Sequence, residues 1–142
     1  MPLVRPAQVG DAEDLARLFE RLGFSATAEE VRARLWCSSP WRVALVAELG
    51  IAVAGAAVIE VHHPLHRRGR EAQVTALVTA ADARHRGVAR ALVSQAVAWA
   101  RREGCDGVFV RVHSRRDDAH AFFRAIGFEE THLCFDWPLP GA

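Results

Sequence analysis

The feature that most constrains this chain is residues 77–92, Leu-Val-Thr-Ala-Ala-Asp-Ala-Arg-His-Arg-Gly-Val-Ala-Arg-Ala-Leu. A β-branched strand ends, a short loop turns, and a helical pattern begins at a glycine. Such a segment belongs to a chain that mixes strands and helices. The first backbone N–H groups of a helix have no partner inside it, so its start is an anion site. Gly87 and Ala89 leave the main chain open to a phosphate, and Arg84, Arg86 and Arg90 add positive charge. The same residues also suit a plain strand-to-helix turn packed with small side chains. Both readings stand on spacing alone. A dinucleotide fingerprint is disfavoured, because G-x-G-x-x-G is incomplete and no acidic residue follows at the usual distance.

The rest of the chain carries similar signals. Residues 3–6 read as a strand. A helix opens at Asp11 with Ala12, Leu15, Leu18, Phe19 and Leu22 on one face, and Gly23 ends it. Thr27 and Glu30 form a capping-box pair for a second helix through Val31, Leu35 and Trp36. That helix is stopped by Ser38, Ser39 and Pro40. Residues 42–48 and 51–61 predict a hairpin, with Gly55 marking a bulge or a close backbone approach. Residues 72–79 predict a strand, 87–103 a long helix, 108–112 a strand, 117–126 a short helix and 131–137 a last strand. The tail 138–142 is expected to fray. No linker or repeat divides the sequence. The expectation is one α/β domain over 1–142, with a mixed sheet in the order β-α-α-β-β-β-α-β-α-β.

Composition narrows the function. The chain has 142 residues, 51% of them hydrophobic and 25% charged, enough to bury a core without staples. Its net charge of +1 gives no electrostatic case for nucleic acid or an anionic membrane. The apolar run 43–61 is interrupted by Glu48, Gly50 and Glu60, which fits two strands better than a membrane helix. Three separated cysteines, Cys37, Cys105 and Cys134, form no C-x-x-C pair. They read as small apolar residues in or near the core, and with no secretory leader the expected setting is cytoplasmic. His63 and His66 could meet on a turn, but no third ligand is near in sequence, so no metal is expected. Phe122, Phe123 and Phe128 read as core, without the basic interleaving of a base-stacking platform.

Taken in order, these segments resemble the GNAT superfamily of acetyl-CoA-dependent N-acetyltransferases. Arg84-His85-Arg86-Gly87-Val88-Ala89 resembles its R-x-x-G-x-G/A loop. Leu77-Val78-Thr79 sits where the family strand reads L-x-V. Residues 119–128, Ala-His-Ala-Phe-Phe-Arg-Ala-Ile-Gly-Phe, are similar to A-x-x-F-Y-x-x-x-G-F. Val4-Arg5-Pro6-Ala7 and the hairpin from Val46 to Gly55 resemble the family's opening elements. The resemblance implies splayed central strands and acetyl-CoA as co-substrate. The pantetheine arm would lie on the main chain of Leu77, Val78 and Thr79, and the pyrophosphate on the amides of His85 to Arg90. A primary amine would attack the thioester directly. The acceptor would be shaped by residues 11–41 and 129–137, where Glu129, Glu130 and Asp136 could attract a cationic amine. A homodimer is implied as well.

The sequence departs from the family pattern at the catalytic positions. Phe123 stands where the family has a proton-donating tyrosine. Thr75 and Gln73 stand where strand bases are common, and neither is a base near neutral pH. Proximity to a bound thioester still supplies much of the rate, since acid–base help adds about 10²–10⁴-fold. His120, one helical turn before Phe123, is a candidate donor or thiolate partner, or else a capping histidine. Glu60 is a candidate base on the neighbouring strand, or else a solvent-facing carboxylate. Arg115 or Arg116 could reach the coenzyme phosphates or simply face solvent at the helix entrance. The competing function is an acyl-CoA-binding protein of the same fold whose transferase activity has decayed.

Overall fold

A sheet of five strands in sequential order organises the structure. The protein is described by a computed structural model covering residues 1–37 and 39–141. Ser38, named above among the stops of the second helix, and Ala142, at the end of the tail expected to fray, lie outside the described residues. The strands are β1 (Leu3–Pro6), β2 (Arg42–Leu49), β3 (Ala52–His62), β4 (Arg70–Thr79) and β5 (Cys105–Val110). The helices are α1 (Ala12–Glu20), α2 (Ala28–Trp36), α3 (Val88–Arg102) and α4 (Asp117–Ala125). Strands β1 to β4 pair antiparallel, and β5 joins β4 in parallel after the α3 crossover. The chain is therefore α/β with a mixed sheet. It divides into two compact units, Met1–Val110 and Arg111–Ala142.

The first unit holds the whole sheet and α1 to α3. On one sheet face, Val88, Leu92, Ala96 and Ala100 of α3 pack on Leu45, Ala57, Ile59, Ala72 and Val74. On the other face, Leu15 and Leu18 of α1 and Val31 of α2 pack on Val46, Ala56 and Val78. Helices α1 and α3 bury the stripes their apolar spacing marks out, which is what fixes them to the sheet, whereas α2 buries Val31 and leaves Trp36 78% exposed. Thr27 accepts from the Glu30 amide at 3.1 Å, one arm of the expected capping box. At the first corner Arg5 donates to both oxygens of buried Asp11 at 2.8 and 2.9 Å and to Glu48 at 2.9 Å. The Asp11 carboxylate also accepts from the Gln8 amide at 2.7 Å. These bonds, Arg5 foremost, hold the Asp11 carboxyl below its usual range against the opposing effect of burial.

Gly55 lies under the start of α3. A Cβ built there would sit 2.6 Å from Val88 Cγ1 and 2.8 Å from the Val78 carbonyl oxygen. Its β2 partner strand is bulged between Ala47 and Glu48. The close approach expected from sequence is therefore present, with helix on one side and strand on the other.

Three strand expectations change. β4 begins at Arg70 and β5 at Cys105, earlier than the expected 72 and 108, because the parallel register runs from Arg70↔Cys105 to Val74↔Val110. Asp106 and Gly107 are poor strand formers, but ladder bonds and the Arg67–Asp106 ion pair at 3.0 Å override that preference. Residues 131–137, expected as a last strand, are neither strand nor helix. Strand propensity gives no hydrogen-bonded ladder by itself, and among the described residues no segment pairs with them.

The second unit contains α4 and the segment after it. No side chain in it is fully buried among the described residues. Phe123 packs edge-to-face on Phe122 and Phe128, with centroids 5.2 and 5.3 Å away. Arg111 pairs with Asp136, and Arg124 with Glu130, each at 2.7 Å.

Candidate functional site

The C-terminal end of β4 is where the sheet opens. β5 pairs with β4 only as far as Val74. From Thr75 to Thr79, β4 keeps its antiparallel neighbour β3 but has no strand on its other side among the described residues. Alternate main-chain groups of this stretch are therefore free to bond an extended ligand, as they would another strand. The Thr79 carbonyl accepts from Arg21 Nε at 3.1 Å. Beside it, an open cleft of about 510 Å³ lies between the end of α1 and the sheet, lined by Leu18, Arg21, Val53 and Ala80 among others.

The chain leaves β4 through a 3-10 turn, Ala81–Ala83, whose buried Ala83 anchors it to the core. It then passes Arg84, His85 and Arg86 and enters α3 at Gly87. His85 and Gly87 both adopt left-handed conformations, φ 64° and 80°. At Gly87 this needs no Cβ, and a Cβ there would meet nothing within 4 Å, so the approach from solvent is open. No side chain caps the helix, and its first turn has no acidic residue. The Ala91 amide bonds back to the Gly87 carbonyl at 3.0 Å, so the amides of Val88, Ala89 and Arg90 precede the helical ladder. Val88 is buried, which pins the helix start while its amide stays at the terminus. Arg84, Arg86 and Arg90 are free of ion pairs among the described residues. Free amides, the positive end of a helix dipole and three unpaired guanidinium groups make this loop attractive to a polyanion.

Glu60 lies on β3 in register with Arg42 of β2 and Gln73 of β4. Its carboxylate is half-buried and forms no hydrogen bond or ion pair among the described residues. Gln73 is occupied: its amide oxygen accepts from His62 Nε2 at 2.9 Å. Phe109 of β5 stands next to that imidazole, with centroids 6.0 Å apart. Thr75 donates its hydroxyl to the Val58 carbonyl at 3.3 Å. Sequence reading gave His62 only a place in the turn that follows β3, and passed over Arg21. The signal for His62 was its place two residues after Glu60, on the same face of β3. Arg21 carried no signal, because its bond to Thr79 spans 58 positions.

His120 belongs to the second unit, where its Nε2 donates to the His113 carbonyl at 3.0 Å. Arg116 bonds Asp118 at 3.3 Å, and with the Ala119 amide this holds the Asp118 carboxyl below its usual range. The cysteines depart from expectation. Cys37 and Cys134 are exposed, and only Cys105 is half-buried, where desolvation raises its thiol pKa. Cys37 follows the end of α2 and Cys134 lies in the unpaired segment, so neither has a layer of structure above it. His63 packs edge-to-face on Trp41 at 4.4 Å. Among the described residues no group of three or more His, Cys, Asp or Glu could hold a metal ion, and no helix is long and apolar enough to cross a membrane.

Residues 12–128 match the family model described as acetyltransferase (GNAT) family. Among solved structures, a putative acetyltransferase from Agrobacterium tumefaciens str. C58 is 24% identical with TM-score 0.86, covering 96% of this chain and 99% of that one. A transcriptional regulator from Bacillus halodurans C-125 is 20% identical with TM-score 0.86, covering 98% and 100%. An aminoglycoside N-acetyltransferase in complex with CoA is 16% identical with TM-score 0.87, covering 99% and 95%. At these identities the likeness is one of fold. No curated protein matches the sequence.

Proposed function

The chain belongs to the acetyltransferase (GNAT) family, and from that premise we propose that it transfers an acetyl group from acetyl-CoA to a primary amine. The observation that carries this reading is the adjacency of two binding surfaces. The unpaired edge of β4 leads through one short loop into the uncapped start of α3. An extended arm ending in a pyrophosphate needs both in that order. On this reading, the main chain of Leu77, Val78 and Thr79 bonds the pantetheine arm. The amides and side chains of Arg84, His85, Arg86, Gly87, Val88, Ala89 and Arg90 hold the pyrophosphate. The match to the family model crosses the boundary between the two units, which supports treating 1–142 as one acetyltransferase domain.

Acetyl-CoA supplies an acetyl group activated as a thioester. The amine nitrogen attacks its carbonyl carbon, the carbon–sulfur bond breaks, and the amine gives up one proton as the thiolate gains one. A main-chain N–H near Val78 or Thr79 polarises the carbonyl. Glu60, half-buried and unpaired, takes the amine proton. His120 delivers a proton to the sulfur: its Nε2–H, now given to the His113 carbonyl, is the donor. The partners are an amine acceptor and a second copy of the chain, with no role for nucleic acid, membrane or metal. Three free cysteines suit a reducing, cytoplasmic setting.

The decayed-enzyme reading draws on Thr75 and Gln73, whose polar atoms are committed to Val58 and His62. Release of free coenzyme A thiol, followed with polyamines, aminoglycosides, amino acids and peptides, separates the two. Amine-dependent release is expected. Tight acetyl-CoA binding with no release across the panel would establish a binding protein instead.

A further inference from the structure

We propose that the cleft at the end of α1 takes an amine that also carries a carboxylate, as an α-amino acid does, with Arg21 holding the carboxylate. This rests on the acetyl-transfer reading and names the class of its acceptor. Every residue lining the cleft belongs to the first unit, and its volume of about 510 Å³ suits a small molecule. Leu18, Val53 and Ala80 give it apolar walls, and its charged groups are Arg17, Glu20 and Arg21. These three are not equivalent. Arg17 is neutralised by Asp14, one turn earlier on α1. Glu20 and Arg21 form no ion pair among the described residues. The cleft therefore offers one cation and one anion.

Arg21 is also held in place. It closes α1, and its Nε–H donates to the Thr79 carbonyl at 3.1 Å. That bond uses one of the guanidinium N–H donors and fixes the plane of the group. The remaining edge, Nη1 and Nη2, is the fork that binds a carboxylate through two parallel hydrogen bonds. A fork already tied to the main chain loses less freedom on binding than a free one. Glu20, in turn, attracts an ammonium group. A polyamine would set Arg21 against like charge, and a simple anion would do the same to Glu20, whereas a zwitterion satisfies both. Thr79 ends the stretch of β4 read as carrying the pantetheine arm. An amine a few bonds from a carboxylate on Arg21 is thus held beside the main chain read as polarising the thioester.

The test compares L-amino acids with their α-amides, which lack the carboxylate charge. Each is titrated calorimetrically into the full chain loaded with coenzyme A, and each is assayed for coenzyme A release from acetyl-CoA. The acid is expected to bind at least about tenfold tighter than its amide, with the same difference in kcat/KM carried by KM. In Arg21→Gln, with unchanged far-ultraviolet circular dichroism, acid and amide should bind about equally, and Arg21→Glu should favour the amide. Equal binding of acid and amide by the wild type would overturn the proposal, as would an acid preference that survives in folded Arg21→Gln. A polyamine used in preference to every amino acid would overturn it too. Titration with coenzyme A itself separates the other source of anionic groups. If Arg21→Gln weakens coenzyme A binding and leaves the acid preference intact, the guanidinium serves the coenzyme phosphates and the proposal is overturned. No release with any amine, alongside tighter binding of the acid, would refute acetyl transfer and leave the carboxylate site standing.

Discussion

Replacing Gly55 by alanine tests whether the start of α3, and with it the proposed coenzyme loop, is set by a hydrogen-sized side chain on β3. The new methyl would lie 2.6 Å from Val88 Cγ1, 2.8 Å from the Val78 carbonyl oxygen and 3.2 Å from Leu92 Cδ1. Carbon atoms normally meet at about 3.5 Å, so Val88 must move by nearly 1 Å or the two strands must separate. The Val78 carbonyl is part of the sheet and cannot turn aside, and Val88 is the first residue of α3. Overpacking of this kind costs about 1–3 kcal/mol, offset by about 0.4–1 kcal/mol from the stiffer unfolded chain. The net loss of roughly 1–2 kcal/mol lowers Tm by about 3–10 °C. Because the strain falls on Val88, affinity for acetyl-CoA should fall too. Thermal unfolding and calorimetric titration of the same sample measure both. Gly10→Ala is the control, since a Cβ there meets nothing within 4 Å. A Gly55→Ala protein as stable as wild type, with equal affinity, would refute the reasoning that this contact positions the helix.

Other outcomes follow from the same geometry. Gly87→Glu puts a charged side chain at φ 80° beside the free amides, so calorimetry should show acetyl-CoA affinity lowered at least about tenfold in a folded protein. Glu60→Gln and His120→Ala should each lower kcat about tenfold or more with coenzyme affinity nearly kept, and an unchanged kcat assigns the residue to structure. Asp11 has a depressed folded pKa, so its contribution to stability is fully present above its unfolded value of about 3.9 and is lost as pH falls through the folded value. Arg5→Gln should therefore cost about 1–3 kcal/mol near neutral pH and flatten the acid limb of urea unfolding, and an equally steep limb would exclude this pair as its source.

Much of the molecule could be read from the residues because its signals are local. Helical spacing marked the buried stripes of α1 and α3, Thr27 and Glu30 marked a helix start, and Gly87 marked the turn into α3. The nearest four to eight side chains decide such features, and a linear reading contains them. The loop from Arg84 to Arg90 was legible for the same reason, since a helix terminus carries its own unpaired amides wherever it lies.

Tertiary structure decided what depends on distant partners. β5 begins at Cys105 because β4 offers ladder bonds to residues of poor strand propensity. Residues 131–137 have the stronger strand pattern and form none, because propensity cannot replace a partner. The length of the open edge on β4 depends on where a strand 36 positions away stops pairing, at Val74↔Val110. Likewise, Gln73 is held by His62 and Thr79 by Arg21, bonds that join separate elements. Local chemistry marked the helices, most of the strands and the turn into α3. Long-range pairing settled where the sheet opens and which polar atoms remain free to act.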